Sequence, residues 1–309
     1  MKIAFTSCMN HEQFPSQAVW PRVAAQEPDY LFLLGDQIYM DFWPHLREPA
    51  AWDEARFEAE MRAHYQAQWA EPGFDALLTR LRARQAAGTG GVHGTWDDHD
   101  FAWDNAVGSE VPLSRKRIAQ RLFQEFVGAP PRGDGVGGIH HAVPLRDAVH
   151  GVVGKAIFLD TRWHREPPGE DARLLGDEQL DFLERELRTP VPLTVICAGT
   201  PQRAAAKGWA GYPREWARFR ELVGERHVLF LAGDIHENAF LPPARGTRTY
   251  EIVASGAAVK KYKLVGRREN HGLIEWSPQR TLVTLTDKRG TLRYAIDNAS
   301  FDYEELEAD

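Results

Sequence analysis

Gly35-Asp36-Gln37-Ile38-Tyr39, directly behind the apolar run Tyr30–Leu34, decides how this chain is read. Five consecutive apolar residues closed by Gly-Asp read as a buried strand that delivers a carboxylate to its carboxyl end. The glycine permits a sharp turn, so the next side chain points across the end of the sheet. The three-residue step from Asp36 to Tyr39 lets a carboxylate and a phenol reach one ion from a single loop. Gly-Asp recurs at Gly233-Asp234, behind the apolar run Val228–Ala232, and His236 follows two residues later. In α/β sheets, ligands bind at the carboxyl ends of strands.

Working outward, Lys2–Thr6, Gly91–Thr95, Val152–Leu159 and Leu193–Ala198 also read as strands, mostly buried. Between them lie helical patterns at Asp53–Trp69 and Phe74–Ala87, with Pro72-Gly73 as a breaker. Further helices are expected at Leu113–Val127, Asp177–Leu187 (acidic first turn) and Pro213–Val223 (Pro at its start). Toward the C-terminus come short strands at Thr249–Ala254, Gly272–Trp276, Thr281–Thr286 and Thr291–Ile296. The last two are joined by the hairpin-like turn Asp287-Lys288-Arg289-Gly290. The pattern predicts an α/β core with an antiparallel edge or second sheet. One domain over 1–309 is expected, with a helical insertion at about 44–90 and a β-rich part at about 245–300. Gly128–Gly138, rich in Gly and Pro, is a boundary or mobile flap, and Glu304–Asp309 is an acidic tail.

At 309 residues, roughly 75% of the unfolded surface can be buried, so the core needs no disulfide staple. The two cysteines, Cys8 and Cys197, read as free thiols. A net charge of −7 argues against general nucleic-acid or anionic-membrane binding. Any phosphate substrate then needs another source of positive charge, and bound cations are the simplest. The N-terminus lacks a signal-peptide apolar core, and no run approaches a membrane span, so a cytoplasmic location is expected.

The chemistry collects behind the strands. Ser7-Cys8 follows the first, and Asp97, Asp98, Asp100 and Asp104 crowd nine residues with His99 and Asn105 behind the third. Carboxylates held that close repel one another, and burial raises their pKa; a cation removes both penalties. The plain alternative is an exposed acidic turn or a helix cap. Thiolate, phenolate and carboxylate together suit a trivalent ion. Cys197, inside an apolar run, reads as core packing. His99 is a candidate general acid, since acidic neighbours favour its protonated form; alternatively it only orients Asp98. His140 and His141 read as surface residues. Gly133–Gly138 fits G-x-G-x-x-G, but it follows Pro130-Pro131-Arg132 instead of a strand. No G-x-S-x-G elbow and no P-loop occur.

Thr6-Ser7-Cys8, Leu34–Tyr39, Trp96–Asp100 with Asp104-Asn105, Leu159-Asp160-Thr161-Arg162, and Gly233–His236 together resemble the PhoD-type alkaline phosphatases. These belong to the metallophosphoesterase (calcineurin-like) superfamily, and the resemblance covers about residues 3–256. It implies a four-layer α/β/β/α sandwich and metal-dependent phosphoester hydrolysis, on mono- or diesters, by a metal-activated hydroxide. Cys8, Asp36, Tyr39 and His236 would hold an iron-type Fe³⁺ ion. Asp36 as bridge, Asp98, Asn105 and Asp234 would hold a divalent ion, Ca²⁺ before Mn²⁺, Mg²⁺ or Zn²⁺. His99 and Arg162 take the catalytic positions, Arg162 beside the phosphate. Two departures stand out. Thr200 replaces the usual Asn after the fifth strand, and the long step from Asp98 to Asn105 makes Asp104 a competing ligand. Relatives are commonly exported, so the absent export signal points to a small cytoplasmic phosphoester. Rival readings are a non-catalytic metal-binding member and a metallohydrolase acting on another ester.

Overall fold

A strand that is apolar on both faces must be covered on both sides. Tyr30–Leu34, Leu193–Ala198 and Val228–Ala232 are buried along their whole length, and the fold meets that need with two stacked sheets and helices outside them. The computed structural model describes all residues except 43–45, 129, 131–136, 206–207, 262–264 and 308–309.

The first part of the chain runs β1 (Lys2–Thr6), α1 (Val19–Ala25), β2 (Tyr30–Leu34), α2 (Glu54–Trp69), α3 (Pro72–Ala86) and β3 (Gly91–Thr95). Next come the single turn α4 (Asp98–Phe101), α5 (Leu113–Val127), β4 (His141–Asp147), β5 (Gly151–Phe158), α6 (Asp177–Leu187) and β6 (Leu193–Ala198). Then follow α7 (Pro213–Val223), β7 (Val228–Ala232), β8 (Asn238–Leu241), β9 (Thr249–Ala254), β10 (Val259–Lys261) and β11 (Val265–Arg268). The chain closes with β12 (His271–Trp276), β13 (Arg280–Thr286), β14 (Thr291–Asp297) and β15 (Tyr303–Leu306).

The first sheet has the order β15-β14-β13-β12-β1-β2-β3, with β1, β2 and β3 parallel and the rest antiparallel. The second is β4-β5-β6-β7-β9-β8, parallel from β5 to β9. Phe5, Phe32 and Leu34 of the first sheet interlock with Phe158, Val195 and Leu231 of the second in a shared core. The other face of the first sheet buries Ala4, Leu31 and Leu33 against α1, α2, α3 and α5. The other face of the second buries Ile157, Ile196 and Phe230 against α6 and α7. The result is the expected four-layer α/β/β/α sandwich.

Several expectations are corrected. Pro72-Gly73 does not break the chain but opens α3. Glu71 accepts from the Phe74 amide at 2.7 Å as N-cap, and proline is harmless at the first helical position. His140 and His141 are buried, not surface residues. His141 stacks on Phe158 with ring centroids 4.7 Å apart and donates from Nδ1 to the Ile139 carbonyl at 2.9 Å. Thr249–Ala254 is the strand expected, and it joins the second sheet parallel to β7. Glu304–Leu306 is part of strand β15, paired with β14. Most of the Gly128–Gly138 loop, with the flap and Gly133–Gly138 readings, lies outside the described residues. No described helix is long and apolar enough to cross a membrane.

Both sets of parallel strands end on one rim. Thr95 Oγ1, at the end of β3, donates to the Leu159 carbonyl beyond β5 at 2.7 Å, tying the sheets together there.

Candidate metal centre

Each strand end on that rim releases a polar side chain within a few residues: Cys8 after β1, Asp36 after β2, Asp97 and Asp98 after β3, Arg162 after β5, Thr200 after β6 and Asp234 after β7. Close approach of the loops depends on two glycines. A Cβ on Gly233 would collide with the Leu34 carbonyl oxygen and sit 2.7 Å from Ser7 Oγ. A Cβ on Gly199 would sit 2.5 Å from the Trp96 carbonyl oxygen. Gly233 is therefore required for space, and the turn itself falls on the residue after it.

The left-handed backbone region is costly for residues other than glycine. Seven described non-glycine residues adopt it, and five are Cys8 (φ 59°), Asp36 (53°), Asn105 (54°), Asp234 (72°) and His236 (56°). Such strain persists only where surrounding structure over-determines it, and it clusters at functional sites. Here it falls on five of the seven residues expected to bind metal.

Asp36 is the hub. Its Oδ2 accepts from Cys8 Sγ at 3.4 Å and from Tyr39 Oη at 3.2 Å, and Tyr39 Oη also lies 3.2 Å from His236 Nε2. Ligand atoms of Cys8, Asp36 and His236 all lie within 4.8 Å of one another. Ser255 Oγ accepts from the His236 amide at 2.9 Å and lies 3.2 Å from Cys8 Sγ, so its own proton is free to stabilise a thiolate. Burial and then the Asp36 charge push the Cys8 thiol and the Tyr39 phenol well above their ordinary values. Burial and then Asp98 do the same to Asp36. Without a counter-charge this trio resists ionisation; a cation reverses that.

A second cluster joins Asp97, Asp98 and Asp234, again within 4.8 Å, while Asp36 also groups with Asp98 and His99. Burial, then the charges of Asp97 and Asp98, push Asp234 up to about 7. Asp97 is fully buried; its Oδ1 accepts from Arg162 and Thr200, but its Oδ2 has no hydrogen-bond partner. A buried carboxylate with an orphaned oxygen, grouped with two more carboxylates, fits a cation ligand. Sequence reasoning had counted Asp97 in the acidic run without assigning it to an ion. Asn105 is exposed; its amide donates to Asp98 Oδ2 at 2.5 Å and its Nδ2 to Asp104 Oδ2 at 2.9 Å. Asp104 Oδ1 lies 3.8 Å from His99 Nε2.

His99 stacks on Tyr39, with centroids 4.2 Å apart, and donates from Nδ1 to Asp41 Oδ1 at 2.7 Å. Burial alone would lower its pKa, but Asp41, Asp98 and Asp36 outweigh burial and hold the imidazolium well above its ordinary value. Asp41 is a partner the sequence reading missed. Its signal was a further carboxylate two residues beyond Tyr39 in the same loop. Asp100 is structural: it accepts from the amides of Gln37 at 3.1 Å and Asp97 at 2.6 Å, clamping two rim loops together.

Arg162, expected beside the phosphate, lies against two of the carboxylates. Its Nε donates to Asp97 Oδ1 at 2.6 Å, Nη2 to Asp98 Oδ1 at 3.3 Å and Nη1 to the Ala106 carbonyl at 3.2 Å, and the residue is 3% exposed. Three of its five N–H groups are engaged, and two of them position the carboxylates. Arg162 also holds Asp98 below the ordinary carboxylate range against the opposing effect of burial.

Among solved structures, the chain is similar to a dimetal phosphatase from Danio rerio: 12% identity, TM-score 0.48, covering 100% of this chain and 99% of that one. It is also similar to a 5'-nucleotidase from Candida albicans: 10% identity, TM-score 0.46, covering 97% of this chain and 52% of that one. No curated protein sequence matches it. Residues 3–257 match the sequence profile of the PhoD-like phosphatases, and the chain belongs to that family.

Proposed function

We propose that this metal-dependent phosphoester hydrolase acts on small phosphoesters with an iron-type trivalent ion on Cys8, Asp36, Tyr39 and His236 and a divalent ion on Asp36, Asp98, Asn105 and Asp234. The observation that carries this reading is the double membership of Asp36, whose carboxylate groups with Cys8 and His236 and also with Asp98 and His99. The first donor set offers three anionic groups, the pattern that suits Fe³⁺; the second offers hard oxygens, the pattern that suits Ca²⁺. Asp97, through its orphaned oxygen, is an added ligand candidate for the divalent ion.

When bound, two such ions neutralise phosphoryl oxygens and lower the pKa of water from about 15.7 to roughly 7, making a nucleophile available at neutral pH. The surrounding residues do the rest. Arg162 holds Asp97 and Asp98 in place, and Ser255 supports the Cys8 thiolate. His99, kept protonated by Asp41, gives its proton to the departing ester oxygen. Cations gathered on this rim are also how a chain of net charge −7 handles an anionic substrate.

A general acid matters most when the leaving group is poor. His99→Ala is expected to lower kcat by about 10²–10⁴-fold on an alkyl phosphate. The loss on a p-nitrophenyl ester, whose leaving group needs no proton, should be much smaller. Equal losses on the two substrates would assign His99 to orienting ligands alone.

The direct test is elemental analysis of the purified protein with assays on model phosphomonoesters, phosphodiesters and acyl esters, before and after chelation. Two metal equivalents per chain are expected, along with phosphoester turnover that chelation removes and metal restores. Turnover that survives complete metal removal would overturn the reading.

A further inference from the structure

Arg165 lies three residues beyond Arg162, at the same rim. Its backbone is fixed from both sides: its amide donates to the Arg162 carbonyl at 3.2 Å, and its carbonyl accepts from the Ser109 amide at 2.9 Å. Its side chain reaches back to the rim. Nε donates to Tyr212 Oη at 3.1 Å, the guanidinium lies 5.6 Å from the Tyr212 ring centroid, and Nη1 donates to Thr200 Oγ1 at 3.1 Å. Thr200 Oγ1 in turn donates to Asp97 Oδ1 at 3.1 Å, so one hydroxyl separates Arg165 from the second cluster.

The contrast with Arg162 is informative. Arg162 is neutralised by two carboxylates, whereas among the described residues Arg165 forms no ion pair and its Nη2 makes no hydrogen bond. Its partners are two neutral hydroxyls. A part-buried guanidinium without a counter-ion is disfavoured by its burial, and the nearby Arg162 charge adds to that cost. The stable complement is an anion arriving from outside, and a planar guanidinium matches phosphate geometry.

We propose that Arg165, held by Thr200 and Tyr212, is an oxyanion subsite for the substrate phosphoryl group and favours phosphomonoesters over phosphodiesters. The inference rests on the dinuclear phosphoesterase reading. A monoester dianion has three unesterified oxygens; if bound cations neutralised two, the third would be left for Arg165. A diester has only two unesterified oxygens, so it leaves the guanidinium nothing anionic to hold. The Thr200 departure from the family pattern then has a use: its hydroxyl holds Arg165, in place of an amide that would face the ion.

The test measures inorganic phosphate binding to the metal-loaded protein by calorimetry, alongside steady-state kinetics on p-nitrophenyl phosphate and bis(p-nitrophenyl) phosphate. Arg165→Gln should weaken phosphate binding about 10–100-fold and raise KM for the monoester by a similar factor. The diester parameters should change much less, and metal stoichiometry should be retained. Arg165→Lys should recover part of the affinity. Thr200→Val, which keeps the guanidinium charge, should weaken phosphate binding less than Arg165→Gln does. Unchanged phosphate affinity in Arg165→Gln overturns the proposal. So does loss of metal, or a Thr200→Val effect as large, since either would mean that Arg165 acts only through Asp97. Equal losses on both esters refute the monoester preference. Absence of metal and turnover in the wild type would instead refute the underlying reading, because Arg165-dependent phosphate binding by the chelated protein can be measured separately.

Discussion

Asp36→Asn is expected to lower kcat by on the order of 10³-fold or more while leaving the metal-free fold at least as stable as the wild type. Losing a residue that merely supports a ligand costs about 10–100-fold, and a carboxylate common to two clusters should cost more. Asn matches Asp in size but removes the charge on which both clusters converge. The stability half of the prediction follows from the environment. Asp36 is 2% exposed, has a left-handed backbone with φ of 53°, and is pushed toward its neutral form by burial and Asp98. Asn tolerates that backbone region well and carries no charge to bury. Elemental analysis, kcat and a thermal midpoint of the chelated protein check it. Near-normal turnover, or a variant that no longer folds, would remove Asp36 from its central position.

Arg162→Met is expected to cost the chelated protein about 3–5 kcal/mol, the usual penalty for removing one partner of a buried charge pair. The substitution leaves Asp97 and Asp98 buried without their shared counter-ion and the Ala106 carbonyl without its donor. Arg162→Lys should fall between, since an ammonium keeps the charge but cannot reach all three acceptors as a fork. Urea unfolding after chelation measures both. Added divalent metal should return part of the lost stability, because a cation on the carboxylates replaces some of what the guanidinium supplied. A methionine variant as stable as the wild type would mean that the carboxylates are protonated in the fold and never needed the arginine.

Much of the frame was legible from local pattern. The six apolar runs from Lys2 to Ala232 are strands within a residue of the bounds expected, and α5, α6 and α7 match residue for residue. These segments carry strong signals, with continuous apolar character or a marked proline or acidic start. The short helix Val19–Ala25 and the edge strands His141–Asp147, Asn238–Leu241 and Tyr303–Leu306 were not read. Each is brief or polar and takes its structure from a neighbour.

From sequence alone came the identity of the ligand types, their placement behind strands, and the demand for cations that so many anions impose. Those follow from residue chemistry and from continuous apolar runs closed by a polar turn, which need no partner to be read. Tertiary structure alone decided how the residues are shared out. It put Asp36 between two clusters, turned Arg162 onto Asp97 and Asp98, set Asp41 behind His99, and left Arg165 with hydroxyls in place of a carboxylate. Those assignments depend on which loops from two different sheets meet at the rim. Distances between strand ends far apart in the chain are set by how the sheets stack, and no local pattern encodes that.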